Sequence, residues 1–300
     1  MALFLFKRPA ATACLIVSGL LAACSGELPA DETTAATVDD AACDAGMIGR
    51  FDTGADLFIA QFDARPDVDD LHAIAAVSTV LADEAFACVD HLAVAGAYGR
   101  QGGLYIPAPE LFTLAFGDHW LEAHDRHEDA AAELAGLIVE RLQAGGDVWI
   151  AEAGQSDLTA LTIRAAQDIA PDLDFAQRVH LVQHSSWNES QTRADALAWV
   201  REHTDYIRIP DGNAAGNGSP GFRTENGALW PRMLADETVG ATWAEAQRIA
   251  DANNEKAGYD NPAVRAGGFD FSDVAETAYI FGFEDMAGVE AFAERFISAP

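Results

Sequence analysis

Five short apolar runs, each ending in a loop rich in Gly, Asp, Asn or Ser, constrain this chain more than any other feature of it. They cover residues 57–62, 89–95, 147–151, 179–183 and 206–209 and read as buried strands. Between them, residues 71–81, 130–142, 158–169 and 194–202 carry apolar side chains at three- and four-residue spacing, which predicts amphipathic helices. Asp157 is placed to cap the third helix. Strands alternating with helices predict a three-layer α/β fold, a mostly parallel central sheet with helices on both faces. In such sheets ligands bind outside the carboxyl ends of the strands, so the five loops are expected to share one functional rim.

The N-terminus predicts export. Lys7 and Arg8 precede an apolar stretch too short to span a bilayer, and the stretch closes on Leu21-Ala22-Ala23-Cys24. That ending resembles a bacterial lipobox, which implies a signal peptide over residues 1–23 and lipidation of Cys24. Ser25, rather than Asp, then suggests an anchor in the outer membrane of the cell envelope, facing the periplasm or the cell surface. Residues 24–50, rich in Ala, Thr, Asp and Glu and without periodicity, read as a flexible acidic tether. Residues 51–300 form one α/β domain, long enough for a substantial core. Of the four cysteines, Cys14 leaves with the signal and Cys24 carries lipid. Export permits a disulfide between Cys43 and Cys88, while a buried free Cys88 in its apolar run is the alternative.

The chain has 18 basic and 48 acidic residues. Loss of Lys7 and Arg8 leaves 16 against 48, a net charge near −32, with Lys256 the one remaining lysine. Such a charge disfavours nucleic acid and anionic lipid, so membrane contact is expected through the N-terminal lipid alone. It favours divalent cations, although adaptation to a salty habitat accounts for most of it. Self-association is left open.

Asp63, Asp67, Asp69 and Asp70 fall within eight residues, between the first strand and the first helix. Carboxylates crowded this closely repel one another unless they are solvated, protonated or joined by a cation. Calcium, a hard cation taking six to eight oxygens, suits the cluster. The plain alternative is an acidic helix start. The spacing, Asp, three residues, Asp, one residue, Asp-Asp, is similar to the N-terminal signature of nucleoside hydrolases and their relatives. The longer loop with its extra acid resembles a divergent branch of that inosine/uridine-preferring fold. Gly154-Gln155-Ser156-Asp157 resembles the family's Gly-rich turn into a helix, and Asp273, with Asp270 as runner-up, resembles the Asp that completes the metal site. Arg65-Pro66, Gly96-Ala97-Tyr98 and the missing His before Asp273 depart from the pattern.

The resemblance implies a calcium-dependent hydrolase of N-glycosidic bonds acting on a nucleoside or related riboside. Asp63, Asp70, Asp273 and the carbonyl of Asp157 (or of Ser156) would hold Ca2+, and Asp63 would be the general base. Asp69, Asn188, Glu189 and Asn213 would grip the sugar, Trp187 would stack on a ring and His184 would protonate a leaving base; the plain alternatives are a core aromatic for Trp187, a hydrogen-bonded structural residue for His184 and simple turns for the loop of Asn213. Arg65 and Arg100 offset the acids or meet an anionic substrate group. The group His119, His124 and His127 reads as surface. Two other functions suit the same rim: a non-catalytic sugar- or nucleoside-binding lipoprotein, and an O-glycan hydrolase.

Overall fold

The computed structural model describes residues 45–214 and 216–298. The signal peptide, Cys24, Cys43 and most of the tether lie outside the described residues. The folded chain starts earlier than residue 51. A hairpin of β1 (Met47–Ile48) and β2 (Phe51–Asp52) occupies the expected end of the tether. Its turn takes Gly49 at φ +59°, where a Cβ would lie 2.3 Å from the backbone of Phe281. Arg50 fastens it to the domain through Glu284 at 2.7 Å.

The central sheet has six parallel strands: β3 (Leu57–Phe62), β4 (His91–Ala95), β5 (Trp120–Glu122), β6 (Val148–Ala153), β7 (Val179–Gln183) and β8 (Asp205–Arg208). They lie in the order β5-β4-β3-β6-β7-β8. Strands alternate their faces, and β3 shows how the two cores arise. Phe58, Ala60 and Phe62 enter a core with helices Asp69–Leu81, Pro109–Phe116, Gly240–Asn253 and Ala275–Phe281. Leu57 and Ile59 enter the other, with helices His127–Ala144, Asp157–Ile169 and Ala194–His203. The three-layer α/β architecture is therefore present. A short hairpin pairing β9 (Arg223–Thr224) with β10 (Phe269–Asp270) lies outside the main sheet.

All five expected strands begin and end within two residues of observed ones, and β3 and β7 coincide with their expectations. The edge strand β5 was not expected, being three half-buried residues without an apolar run. Cys88 sits in a turn before β4 rather than inside the strand, and it is disulfide-bonded, which removes the free-thiol alternative. Asp157 is the first residue of its helix and caps nothing; Ser156 holds the cap position, and its side chain makes no capping bond. The helix Gly240–Asn253, also unexpected, packs on Asp69–Leu81, and fully buried Trp243 donates its indole N–H to Thr79 Oγ1 at 2.9 Å.

From β3 the chain moves outward to β4 and β5, then returns to β6 on the opposite side of β3. The connections leaving β3 and β6 therefore diverge at their carboxyl ends and open a crevice there. The approach to β6 is tightly fitted at the other end. A Cβ at Gly146 would meet the Ala55 carbonyl oxygen at 1.7 Å, whereas one at exposed Gly136, inside a helix, would meet nothing within 4 Å. Gly146→Ala should cost roughly 2 kcal/mol or more through backbone displacement. Gly136→Ala should stabilise by about 0.5–1 kcal/mol. Urea denaturation of the two variants checks both signs.

Candidate active site

At the end of β3 the chain carries Asp63 onto the rim and turns at once. Buried Ala64 has φ +47°, a left-handed conformation costing a non-glycine residue roughly 1–2 kcal/mol. The turn is held by the next acids. The Ala64 N–H donates to Asp70 Oδ2, and the Arg65 N–H donates to Asp63 Oδ1 at 2.8 Å. Asp69 and Asp70 open the helix Asp69–Leu81, where unpaired N–H groups favour carboxylates. Asp63 and Asp70 are close enough to couple electrostatically, the charge of Asp63 raising the proton affinity of Asp70.

Two amides fix the other oxygen of Asp63. Gln155 after β6 and Gln101 after β4 donate to its Oδ2 at 2.9 and 3.1 Å. Both accept from the Gly99 N–H through their own carbonyls, at 3.0 and 2.9 Å. Close backbone approach is required here, since a Cβ at Gly99 would lie 2.5 Å from Asp157 and one at Gly154 would lie 2.8 Å from Asp63 Cβ. On the far wall, His184 at the end of β7 lies between two acids, with Nδ1 2.6 Å from Glu276 Oε1 and Nε2 3.5 Å from Asp273 Oδ1. The Nδ1 contact is a close ion pair whose angles do not make a hydrogen bond. Ser185, next in the chain, has φ +67° and accepts the Trp187 N–H.

These loops enclose a cleft of about 340 Å³. Asp63, Asp69, Asp273, His184, Asn188 and Asn213 all line it, with Trp187 at its mouth, 45% exposed. Asn188 accepts the Gln155 amide at 3.3 Å, and Asn213 accepts Ser272 Oγ at 3.1 Å. Asp70 lies buried beneath the floor. Asp273 rather than Asp270 faces the cleft. Asp270 is taken up by Arg223 Nε at 3.2 Å, Asn261 at 2.8 Å and Ser272 Oγ at 2.8 Å.

Two expected ligands are not brought to the cleft. Neither Asp157 nor Ser156, the expected carbonyl donors, lines the cleft; the Asp157 side chain pairs with Arg193 Nε at 2.8 Å, and the Ser156 carbonyl accepts the Ala160 N–H within the helix. Glu189 faces β8, bonded to Arg201 at 2.5 Å and Tyr206 at 3.0 Å. Of the histidines expected on the surface, His119 is exposed, while His124 and His127 are half-buried. His124 stacks on Tyr105 with ring centroids 4.1 Å apart, His127 bonds the Gly96 carbonyl at 2.9 Å, and His119 lies against His91. Gln101, Gln155 and Glu276 were not foreseen, because amides and a helix-internal Glu carry no spacing signal.

Burial sets the proton affinities. It pushes Asp63 up to about 7 despite its hydrogen bonds, with the charge of Asp67 adding to the effect. Burial likewise pushes Asp67 to about 6, and Asp69, Asp70 and Asp273 well above the usual range, each raised further by neighbouring acids. Burial opposes protonation of His184, but Glu276 outweighs it and the imidazole is raised. Among the described residues, no three His, Cys, Asp or Glu side chains stand together at metal-ligand spacing. The donor chemistry nevertheless fits a hard divalent cation. The oxygens are anionic when ionised, none of Asp63, Asp67, Asp69 and Asp70 has an Arg or Lys within ion-pair reach among the described residues, and buried Asp70 Oδ1 has no hydrogen-bond partner. Comparison of the chain with protein-family models, curated proteins and solved structures gave no match.

Behind the cleft lies a further buried acid. Glu152 on β6 is fully enclosed and accepts from Ser156 Oγ at 2.5 Å, Thr159 Oγ1 at 2.6 Å and Gln183 Nε2 at 3.3 Å. Burial raises it to about 7 from 4.5, against these hydrogen bonds. Between those two values the folded chain keeps a proton that the unfolded chain has released, so this group makes stability fall as pH rises through that window. Glu152→Gln removes the effect. Its stability relative to wild type should rise by on the order of 2–3 kcal/mol from pH 5 to pH 8. Urea denaturation of both proteins at the two pH values measures this, and a pH-independent difference contradicts it.

Proposed function

We propose that the cleft hydrolyses a glycosidic bond of a small sugar-bearing ligand, with a nucleoside or related N-glycoside as the class implied by the resemblance. One observation carries the reading: a buried carboxyl, Asp63, with a proton affinity near pH 7, sits at the switch point with both oxygens oriented by hydrogen bonds. A general base works best with its pKa near the working pH.

In this reading Asp63 takes the proton of the attacking water. Asp69 and Asp273, when ionised, provide negative charge beside the sugar, where an oxocarbenium-like state develops positive charge. Asn188 and Asn213 bind sugar hydroxyls, Trp187 stacks on a ring, and His184, whose proton affinity Glu276 raises, gives a proton to the leaving group. Asp63, Asp70 and Asp273 would hold a divalent cation such as Ca2+, which when bound offsets their repulsion and acidifies water. The chain would act outside the cytoplasm, lipid-anchored through Cys24.

A non-catalytic sugar-binding protein is the second reading. It is favoured by the absence, among the described residues, of a carboxylate trio already set at ligand spacing. Two experiments on the purified chain divide the cases. Calorimetry should detect Ca2+ binding in wild type and its loss in Asp70→Ala; no binding in wild type removes the cation from the mechanism. Turnover of inosine, uridine and related ribosides should fall by about 10²–10⁴-fold in Asp63→Asn. Ligand binding without turnover in wild type selects the second reading, and undiminished turnover in Asp63→Asn shows that another group is the base.

A further inference from the structure

We infer that the ligand of the cleft carries an anionic group, a carboxylate or a phosphate, and that Arg65 receives it at the rim. The inference rests on the reading that this cleft seats a ligand and holds whether that ligand is cleaved or only bound.

Cations are scarce in this chain, and those near acids are paired: Arg193 with Asp157, Arg223 with Asp270, Arg201 with Glu189. Arg65 lines the same cleft as Asp63, Asp67 and Asp69, yet among the described residues it has no carboxylate within 4.0 Å. If its purpose were to neutralise the floor, it would be in contact with one of those acids. It is instead fixed away from them. Its Nε donates to the Gly102 carbonyl at 3.2 Å, and its guanidinium lies 4.8 Å from the Tyr98 ring centroid. Tyr98 is itself held, by a hydroxyl contact to His124 Nδ1 at 2.9 Å and by ring packing on His127. The loop beneath is close-fitted, since a Cβ on Gly103 (φ +87°) would lie 2.3 Å from Pro66 Cβ.

The two terminal nitrogens of Arg65 have no acceptor among the described residues. A guanidinium already ordered by stacking and by its Nε bond loses little freedom when it takes a ligand. Its remaining N–H groups form a planar fork that suits carboxylate or phosphate oxygens and gains much less from a neutral hydroxyl. Placement at the rim also resolves an electrostatic conflict: an anion there stays clear of the acids below, while the neutral sugar reaches down to them. Arg100, the other cation of that loop, does not line the cleft and donates to the Ser190 carbonyl at 2.6 Å.

The test needs no substrate, so its outcome is separate from whether the cleft is catalytic. Inorganic phosphate and, separately, acetate are titrated into the full chain, with ionic strength held constant by sodium chloride. The readout is the Nε–H resonance of Arg65, assigned by its absence from Arg65→Gln. A saturable shift with phosphate alone assigns a phosphate, with acetate alone a carboxylate, and with both the shared oxyanion chemistry. In Arg65→Gln, the same titration followed on the indole resonances should show affinity weakened by about tenfold or more. Neither probe moving the resonance beyond the chloride control, or wild-type affinity in Arg65→Gln, overturns the inference.

Discussion

The coupling between Asp63 and Asp70 is the interaction on which the cleft depends. Two buried, electrostatically coupled carboxyl groups cannot both ionise without a large repulsion. The pair must share a proton or share a cation, and its titration belongs to the pair rather than to either residue. What surrounds it is informative. The neighbouring acids outside the cleft, Asp157, Asp270 and Glu189, each have an arginine. Asp63 has two glutamine amides and a backbone N–H instead. Neutral donors orient a carboxylate without cancelling its charge, which leaves that charge available to a ligand.

The sheet was legible because buried parallel strands leave an unambiguous apolar run, as in residues 57–62 and 179–183. The hairpin at Met47–Asp52 and the edge strand at Trp120 were not, since both are held by tertiary contacts rather than by pattern. The helix Gly240–Asn253 was missed for a related reason. Its buried face sets the small residues Gly240, Thr242, Ala246 and Ala250 around Trp243 and Ile249, so the periodicity is faint.

At the site, the strand-loop-helix arrangement identified Asp63, Asp69 and Asp70, the shared rim brought in His184, Asn188 and Asn213, and Asp273 came from the family resemblance alone. The rim argument selects loops, however, not the direction of side chains. Glu189 lies in the right loop and points the wrong way, drawn to Arg201 on an adjacent helix. Glu152 is the converse: it lies within an apolar run, where sequence offers no reason to expect a carboxyl, and three side-chain donors make its burial tolerable.

The acid floor also couples ligand chemistry to stability. Desolvation raises the proton affinity of every acid there, so the folded state carries an electrostatic cost whenever those acids ionise without compensation. A proton and a divalent cation relieve that cost at the same oxygens and must therefore compete, with cation affinity rising as pH rises. The left-handed Ala64 and Ser185 lie on opposite walls of the cleft, next to Asp63 and His184. Local strain persists where surrounding structure fixes it, and here it fixes the two groups that would exchange protons with a ligand. The fold thus gives up stability at one place, the switch point, and the rest of the sheet, buried on both faces, is what lets it do so.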